Sequence, residues 1–248
     1  MSYEKEFRRK LGFTNQEKLK KHFKATDIFL IDWELIGLYN ERIKEIYRAL
    51  NQVVHDSIKM DSIDQLCNDI DVAYNTIRNN NLIQHFNNNG RKPEAVYYNW
   101  MRGYAICCFF MKAISRVFNV PEASIEQIGG DDLTQTDTFS KTPTADLSFI
   151  KDGVQYRLEI QSGYTGVNDI KEHKIVEARR KKEEENIQSI VLHFDLFNGK
   201  VAIINLLDDS ISSWPSRQAF EDVTVYSIPE TQFTWRLEDQ PPLYEETN

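Results

Sequence analysis

The chain has 248 residues, 41% of them hydrophobic, enough for one large domain or two small ones with a sizeable core. That composition excludes collagen, extended disorder and small disulfide scaffolds. Its three cysteines, Cys67, Cys107 and Cys108, have neither a disulfide framework's number nor the paired C-x-x-C spacing of a zinc site, which points to a reducing, cytoplasmic setting. The start, MSYEKEFRRKLGF, has no apolar run after its basic residues, and no window reaches the 18 apolar residues of a membrane span. A net charge of −8 opposes nucleic-acid binding in bulk, but the charge is unevenly spread. Residues 8–24 carry seven Lys/Arg against Glu17 alone, whereas 207–248 carry nine Asp/Glu against Arg217 and Arg236.

In chain order, Thr14 and Glu17 have the capping-box form, which predicts a short helix from Gln16 to about Lys24. Ile36, Tyr39, Ile43, Ile46, Tyr47, Leu50 and Val54 recur at steps of three or four and form one stripe of a longer helix. Ser62 with Gln65 caps a third, whose face is Ile63, Leu66, Ile70, Ala73, Tyr74 and Ile77; the Asn-rich stretch 79–89 and Gly90 end it. Pro93 opens a fourth, running to Phe118 and apolar nearly all round, as expected of a central helix. Beyond Pro121 come strand-like runs: SIEQI, ADLSFI, VQYRLEI, SIVLHF, KVAIINL and VTVYSI. The charged stretch VNDIKEHKIVEARRKKEEEN, between the third and fourth of these, is long enough for a helix. The order from residue 94 is therefore α-β-β-β-α-β. The expected organisation is a helical N-terminal region over 1–92, a mixed α/β core over 93–237, and a loose acidic tail over 238–248.

Asp152-Gly153 is the residue pair that a type I′ hairpin turn prefers, and it sets a register. Lys151 should face Val154, Phe149 Tyr156, Leu147 Leu158, and Asp146 Glu159. Alternation places Leu147, Phe149, Tyr156, Leu158 and Ile160 on one face and Asp146, Ser148, Arg157, Glu159 and Gln161 on the other. The ordinary reading of that second face is the wet side of a one-faced sheet. Against it, two carboxylates directly opposite, with Cβ atoms roughly 4.5–5.5 Å apart, destabilise a sheet unless a cation lies between them. Mg²⁺, held by one or two carboxylates, waters and phosphate oxygens, is a suitable one.

These residues resemble the PD-(D/E)xK nuclease superfamily, whose signature is an acid on one strand and (D/E)-x-K on the next within an α-β-β-β-α-β core. The matching residues are Asp146 and Glu159-Ile160-Gln161, and the resemblance covers roughly residues 94 to 207. Thr144-Ala145 precedes the acid where the name-giving pattern has Pro, and Gln161 stands where Lys is usual. E-x-Q is similar to a variant found in some type II restriction endonucleases. The resemblance implies a restriction-endonuclease-like core with a central mixed sheet. It implies Mg²⁺ bound by Asp146, Glu159 and the main-chain carbonyl of Ile160, with Gln161 orienting the nucleophilic water. It further implies hydrolysis of phosphodiester bonds in double-stranded DNA, a homodimer, a cognate DNA methyltransferase and a bacterial cytoplasmic setting. The alternatives are a repair or structure-selective nuclease of the same superfamily, or an inactive DNA-binding protein of the same fold.

Other residues remain open. Glu94 is an outer-shell candidate, or simply a favourable acid in the first turn of a helix. Asp131, Asp132 and Asp137 are rivals for the first metal acid if the register differs. The five histidines have no metal-ligand spacing, and His173 and His193 read as a helix-surface residue and a strand residue. The segment from Lys171 to Lys182 could follow a DNA backbone, although Glu183–Glu185 favour a self-paired, solvated helix.

Overall fold

The computed structural model describes residues 2–24, 30–86, 91–128, 146–219 and 223–245. Six α-helices stand among them: α1 (Tyr3–Leu11), α2 (Gln16–Phe23), α3 (Trp33–Val53), α4 (Ile63–Asn79), α5 (Pro93–Phe118) and α6 (Glu172–Glu185). α1 is one that periodicity did not announce. The cap of α2 is Asn15, whose side chain accepts the Glu17 N–H at 2.7 Å, and not the expected Thr14. Neither α1 nor α2 buries a residue, so the basic N-terminal segment lies on the outside. α3 and α4 follow their predicted stripes, with Ile36, Ile43, Tyr47 and Leu50 buried on one and Leu66, Ile70, Ala73 and Ile77 on the other. The periodicity overreaches only at Ile46, which is exposed. Ser62 accepts the Gln65 N–H at 3.3 Å, as a helix cap should.

The strands are β1 (Glu126–Gln127), β2 (Leu147–Lys151), β3 (Val154–Gly163), β4 (Asp169–Lys171), β5 (Gln188–Asp195), β6 (Lys200–Asn205), β7 (Ser216–Gln218), β8 (Thr224–Ser227) and β9 (Trp235–Arg236). The main sheet is mixed, in the order β1-β2-β3-β5-β6-β9, with β3 and β5 parallel and its other neighbours antiparallel. A small second sheet has the order β4-β8-β7. The short strands β4, β7 and β9 lack the length for an alternation pattern to mark them.

The main sheet is covered on both faces. α3, α4 and α5 share a core with Leu147, Phe149, Tyr156, Leu158, Ile160, Ile190, Leu192 and Phe194; Phe110 of α5 stacks on Phe194 with ring centroids 4.0 Å apart. On the opposite face Val191, Ala202 and Ile204 pack with Ile175 and Ala178 of α6 and with Ile170, Trp214 and Ile228. Two-sided cover explains why seven of the eight β5 residues are buried and why its sequence reads as an apolar run. Because one core joins the early helices to the sheet, the expected region 1–92 is continuous with the rest from α3 onward. Within the C-terminal stretch, Tyr244 donates its N–H to Val117 O at 2.7 Å, and its ring lies tilted against that of Phe118. Among the described residues, no helix is long and apolar enough to cross a membrane.

Candidate functional site

The β2–β3 hairpin has the predicted turn and register. Asp152 (φ 51°) and Gly153 (φ 78°) are both left-handed, as type I′ requires. The ladder pairs Lys151 with Val154, Phe149 with Tyr156 and Leu147 with Leu158. Asp146 extends it, donating its N–H to Leu158 O at 3.0 Å and accepting the Ile160 N–H on Oδ2 at 2.7 Å. The Asp146 carboxylate therefore sits on the backbone next to Glu159. The carbonyl of Ile160 leaves β3 on the same edge as its N–H, toward Asp146, as strand geometry dictates.

The face that carries Glu159 is wet toward the turn, where Ile150 and Gln155 are exposed, and half-covered farther along. Ser148 is buried, donating its hydroxyl to Tyr156 O at 3.0 Å, and α6 covers the sheet beyond it. From the first turn of α6, Lys174 places Nζ 2.7 Å from Glu159 Oε2, with the two side chains 26% and 18% exposed. Each carboxylate thus has its own donor, Asp146 a backbone N–H and Glu159 an ammonium. The ladder ends at the Leu147–Leu158 pair, so the expected Asp146–Glu159 pairing lies beyond its registered pairs, and each acid is already held by a protein donor. Among the described residues no three His, Cys, Asp or Glu side chains are grouped to hold a metal ion. Two carboxylates and a carbonyl provide hard oxygen ligands of the type Mg²⁺ takes, with water and phosphate oxygens to complete the set.

Glu159 lines a hollow of about 380 Å³ that also carries Arg157, Lys174, Arg180 and Lys181, with Glu177 and His173 among them. Burial, together with Lys171 and Lys174, lowers the His173 pKa against the opposing pull of Glu159. Two residues along β3, Gln161 opens into a separate cleft of about 330 Å³, bordered by Asn99 and Arg102 of α5, Ser162, Lys171 and His193. It lies at the carboxyl ends of the parallel pair β3–β5, where α/β sheets commonly hold ligands.

Behind Gln161 stands a set of polar groups that spacing in the sequence does not reveal. His193, paired with Gln161 across β3 and β5, has Nδ1 3.3 Å from Gln161 Oε1 and Nε2 2.8 Å from Asn168 Oδ1. Asn168 Nδ2 in turn lies 3.3 Å from Asp195 Oδ2. Burial pushes the His193 imidazole down to about 4 despite the carboxylates of Asp195 and Asp169, so it is neutral at pH 7. For Asp195, burial pushes the carboxyl up, but hydrogen bonds from Asn198, Asn168 and the Phe197 backbone outweigh it and hold the pKa below the ordinary value.

At one end of the hairpin the structure sets the Asp146 carboxylate on the Ile160 N–H and Lys174 on the Glu159 carboxylate. Gln161 belongs to the adjoining cleft. Lys174 was hidden in a charge-rich helix whose Arg180 and Lys181 pair with Glu177, Glu184 and Glu185, as a self-paired helix would. The only signal for His193 was a polar residue in a run otherwise apolar up to Phe194. Glu94 takes no part: its Oε1 accepts the Asp32 N–H at 2.8 Å, tying the start of α5 to the start of α3. Asp131, Asp132 and Asp137 lie outside the described residues. No protein-family model matches the chain, and neither a curated protein nor a solved structure is significantly similar to it.

Proposed function

We propose that this protein is a Mg²⁺-dependent endodeoxyribonuclease of the PD-(D/E)xK type, acting on duplex DNA in the manner of a type II restriction enzyme. The observation that carries this reading is the hairpin end itself: Asp146, just ahead of β2, on the β3 backbone beside Glu159, Lys174 on Glu159, and Gln161 opening into another cleft. Asp146, Glu159 and the Ile160 carbonyl would hold the ion. When bound, Mg²⁺ supplies Lewis acidity at the scissile phosphate and a lowered pKa for its water. Lys174 contributes the positive charge that Gln161, a neutral amide in the usual lysine position, does not. Gln161 orients the attacking water, and Arg102 and Lys171, alongside Asp169, border the same cleft and offer cations to the DNA backbone. A homodimer matching a palindromic site, a bacterial cytoplasmic setting and a partner methyltransferase complete the proposal.

Digestion of long unmethylated DNA with and without chelator, followed by sequencing of fragment ends, tests it. Discrete fragments sharing one short motif support a restriction enzyme, and a smear supports a repair-type nuclease. Uncut DNA, with Glu159→Ala no different from wild type, refutes both. One observation favours a non-catalytic DNA-binding reading: both acids have protein partners already. A calorimetric Mg²⁺ titration with DNA present separates the two, since a working site loses its metal signal in Asp146→Asn and a remnant has none to lose.

A further inference from the structure

With His193 buried and its imidazole neutral, the polar groups behind Gln161 allow one consistent direction of hydrogen bonding. It starts at Asp195, which is buried and, when ionised, can only accept. Its Oδ1 takes the N–H groups of Phe197 (3.2 Å) and Asn198 (3.1 Å), and its Oδ2 takes the side-chain amides of Asn198 (2.8 Å) and Asn168 (3.3 Å). With the Asn168 NH₂ directed to Asp195, its Oδ1 faces His193 Nε2 at 2.8 Å, and that nitrogen must carry the proton. A neutral imidazole has a single N–H, so Nδ1 is left with a bare lone pair. The Gln161 amide approaches Nδ1 to 3.3 Å through the position assigned to Oε1. Two acceptors cannot satisfy each other, and which end of an amide is oxygen is decided by its partners. The amide is therefore turned over, with Nε2 donating to His193.

We infer that Asp195, Asn168 and His193 are positioning residues that turn Gln161 Oε1 away from the imidazole and into the cleft, so that the cleft offers a hydrogen-bond acceptor to a water or hydroxyl. Gly163 makes this possible: a Cβ there would stand 2.3 Å from Asn168 Oδ1 and 3.1 Å from His193 Nε2. The use of that acceptor rests on the nuclease reading. There it takes a proton of the attacking water in a hydrogen bond and aims the water's free lone pair, whereas a lysine in this position would donate to the water oxygen.

The test is long-range ¹H–¹⁵N NMR of the full chain near neutral pH, with the His193 signals assigned by their loss in His193→Gln. The expected pattern is a protonated Nε2 and a bare Nδ1; a protonated Nδ1 overturns the inference. Gln161→Glu, which has no proton to donate, is expected to make His193 take up a second proton, and an unchanged Nδ1 signal counts against the contact. In a DNA-cleaving protein, Asn168→Ala should lower kcat on the order of tenfold while KM is little changed. Gly163→Ala should reproduce that effect by displacing the same amide, and unaltered kcat in both variants overturns the positioning role. Should wild type cut no DNA with Mg²⁺, the nuclease reading fails, while the His193 spectrum still decides which way the amide faces.

Discussion

Gly163→Ala isolates the polar cluster without removing any of its members. The new methyl would lie 2.3 Å from Asn168 Oδ1, well inside contact distance, and Gly163 has no positive φ to complicate the comparison. Its own backbone pairs β3 with Asp195 of β5, and its carbonyl accepts the Leu196 N–H at 2.9 Å, so the strand cannot move away freely. The Asn168 side chain must swing out instead, which breaks its bonds to His193 and Asp195 and leaves the buried His193 Nε2–H without an acceptor. An unsatisfied buried donor costs about 1–3 kcal/mol and the second lost bond about 1 kcal/mol more. Alanine's lower conformational entropy in the unfolded chain offsets roughly 0.5–1 kcal/mol of that. The net expectation is about 2 kcal/mol, which for a chain of this size lowers Tm by roughly 4–8 °C. Urea unfolding followed by circular dichroism measures the free energy, and calorimetry the Tm. His193→Gln combined with Gly163→Ala should be less destabilising than the sum of the two, because both disrupt the same contact. A Gly163→Ala protein within 0.5 kcal/mol of wild type, or strict additivity in the double variant, would refute the reasoning.

Three further outcomes follow from the same structure. His193 has a folded pKa of about 4, below its unfolded value of 6.5. Between those pH values the unfolded chain binds the extra proton, so stability should fall as pH drops from 6.5 toward 4, by on the order of 3 kcal/mol over the window. Urea midpoints across that range should show a much shallower slope in His193→Gln, and an equal slope would contradict the assignment. Gly153→Ala, at φ 78° in the hairpin turn, should cost about 1–2 kcal/mol by chemical denaturation, with Asp152→Asn near neutral. Removal of residues 1–24, whose helices bury nothing, should leave the melting temperature of the rest unchanged, and a clear drop would reveal packing that α1 and α2 do not show.

How far the sequence was legible depended on the range of the interactions concerned. The helices α3, α4 and α5 were readable because each carries its own apolar stripe, capping residue or first-turn proline, all of which act over a few residues. The β2–β3 hairpin was readable to the individual pair because Asp152-Gly153 admits a turn that allows one register, and a slip by one residue would turn Leu147 and Leu158 away from the core. The same local logic put Asp146 beside the β3 backbone, where its carboxylate takes the Ile160 N–H. What lay beyond it was decided by tertiary contacts. Lys174 meets Glu159 only because α6 folds back over the sheet, so the polar face that looked solvent-facing in the hairpin is half-covered at Glu159. His193, Asn168 and Asp195 come from a strand, the segment before β4 and a strand end. They meet at Gln161 because β5 runs parallel to β3 after a crossover, which period and spacing do not encode. Residue type and short-range pattern therefore determined the longer elements and the strand positions of the two acids, whereas the partners that set the charge and hydrogen-bond direction around them were chosen by sheet order and helix placement.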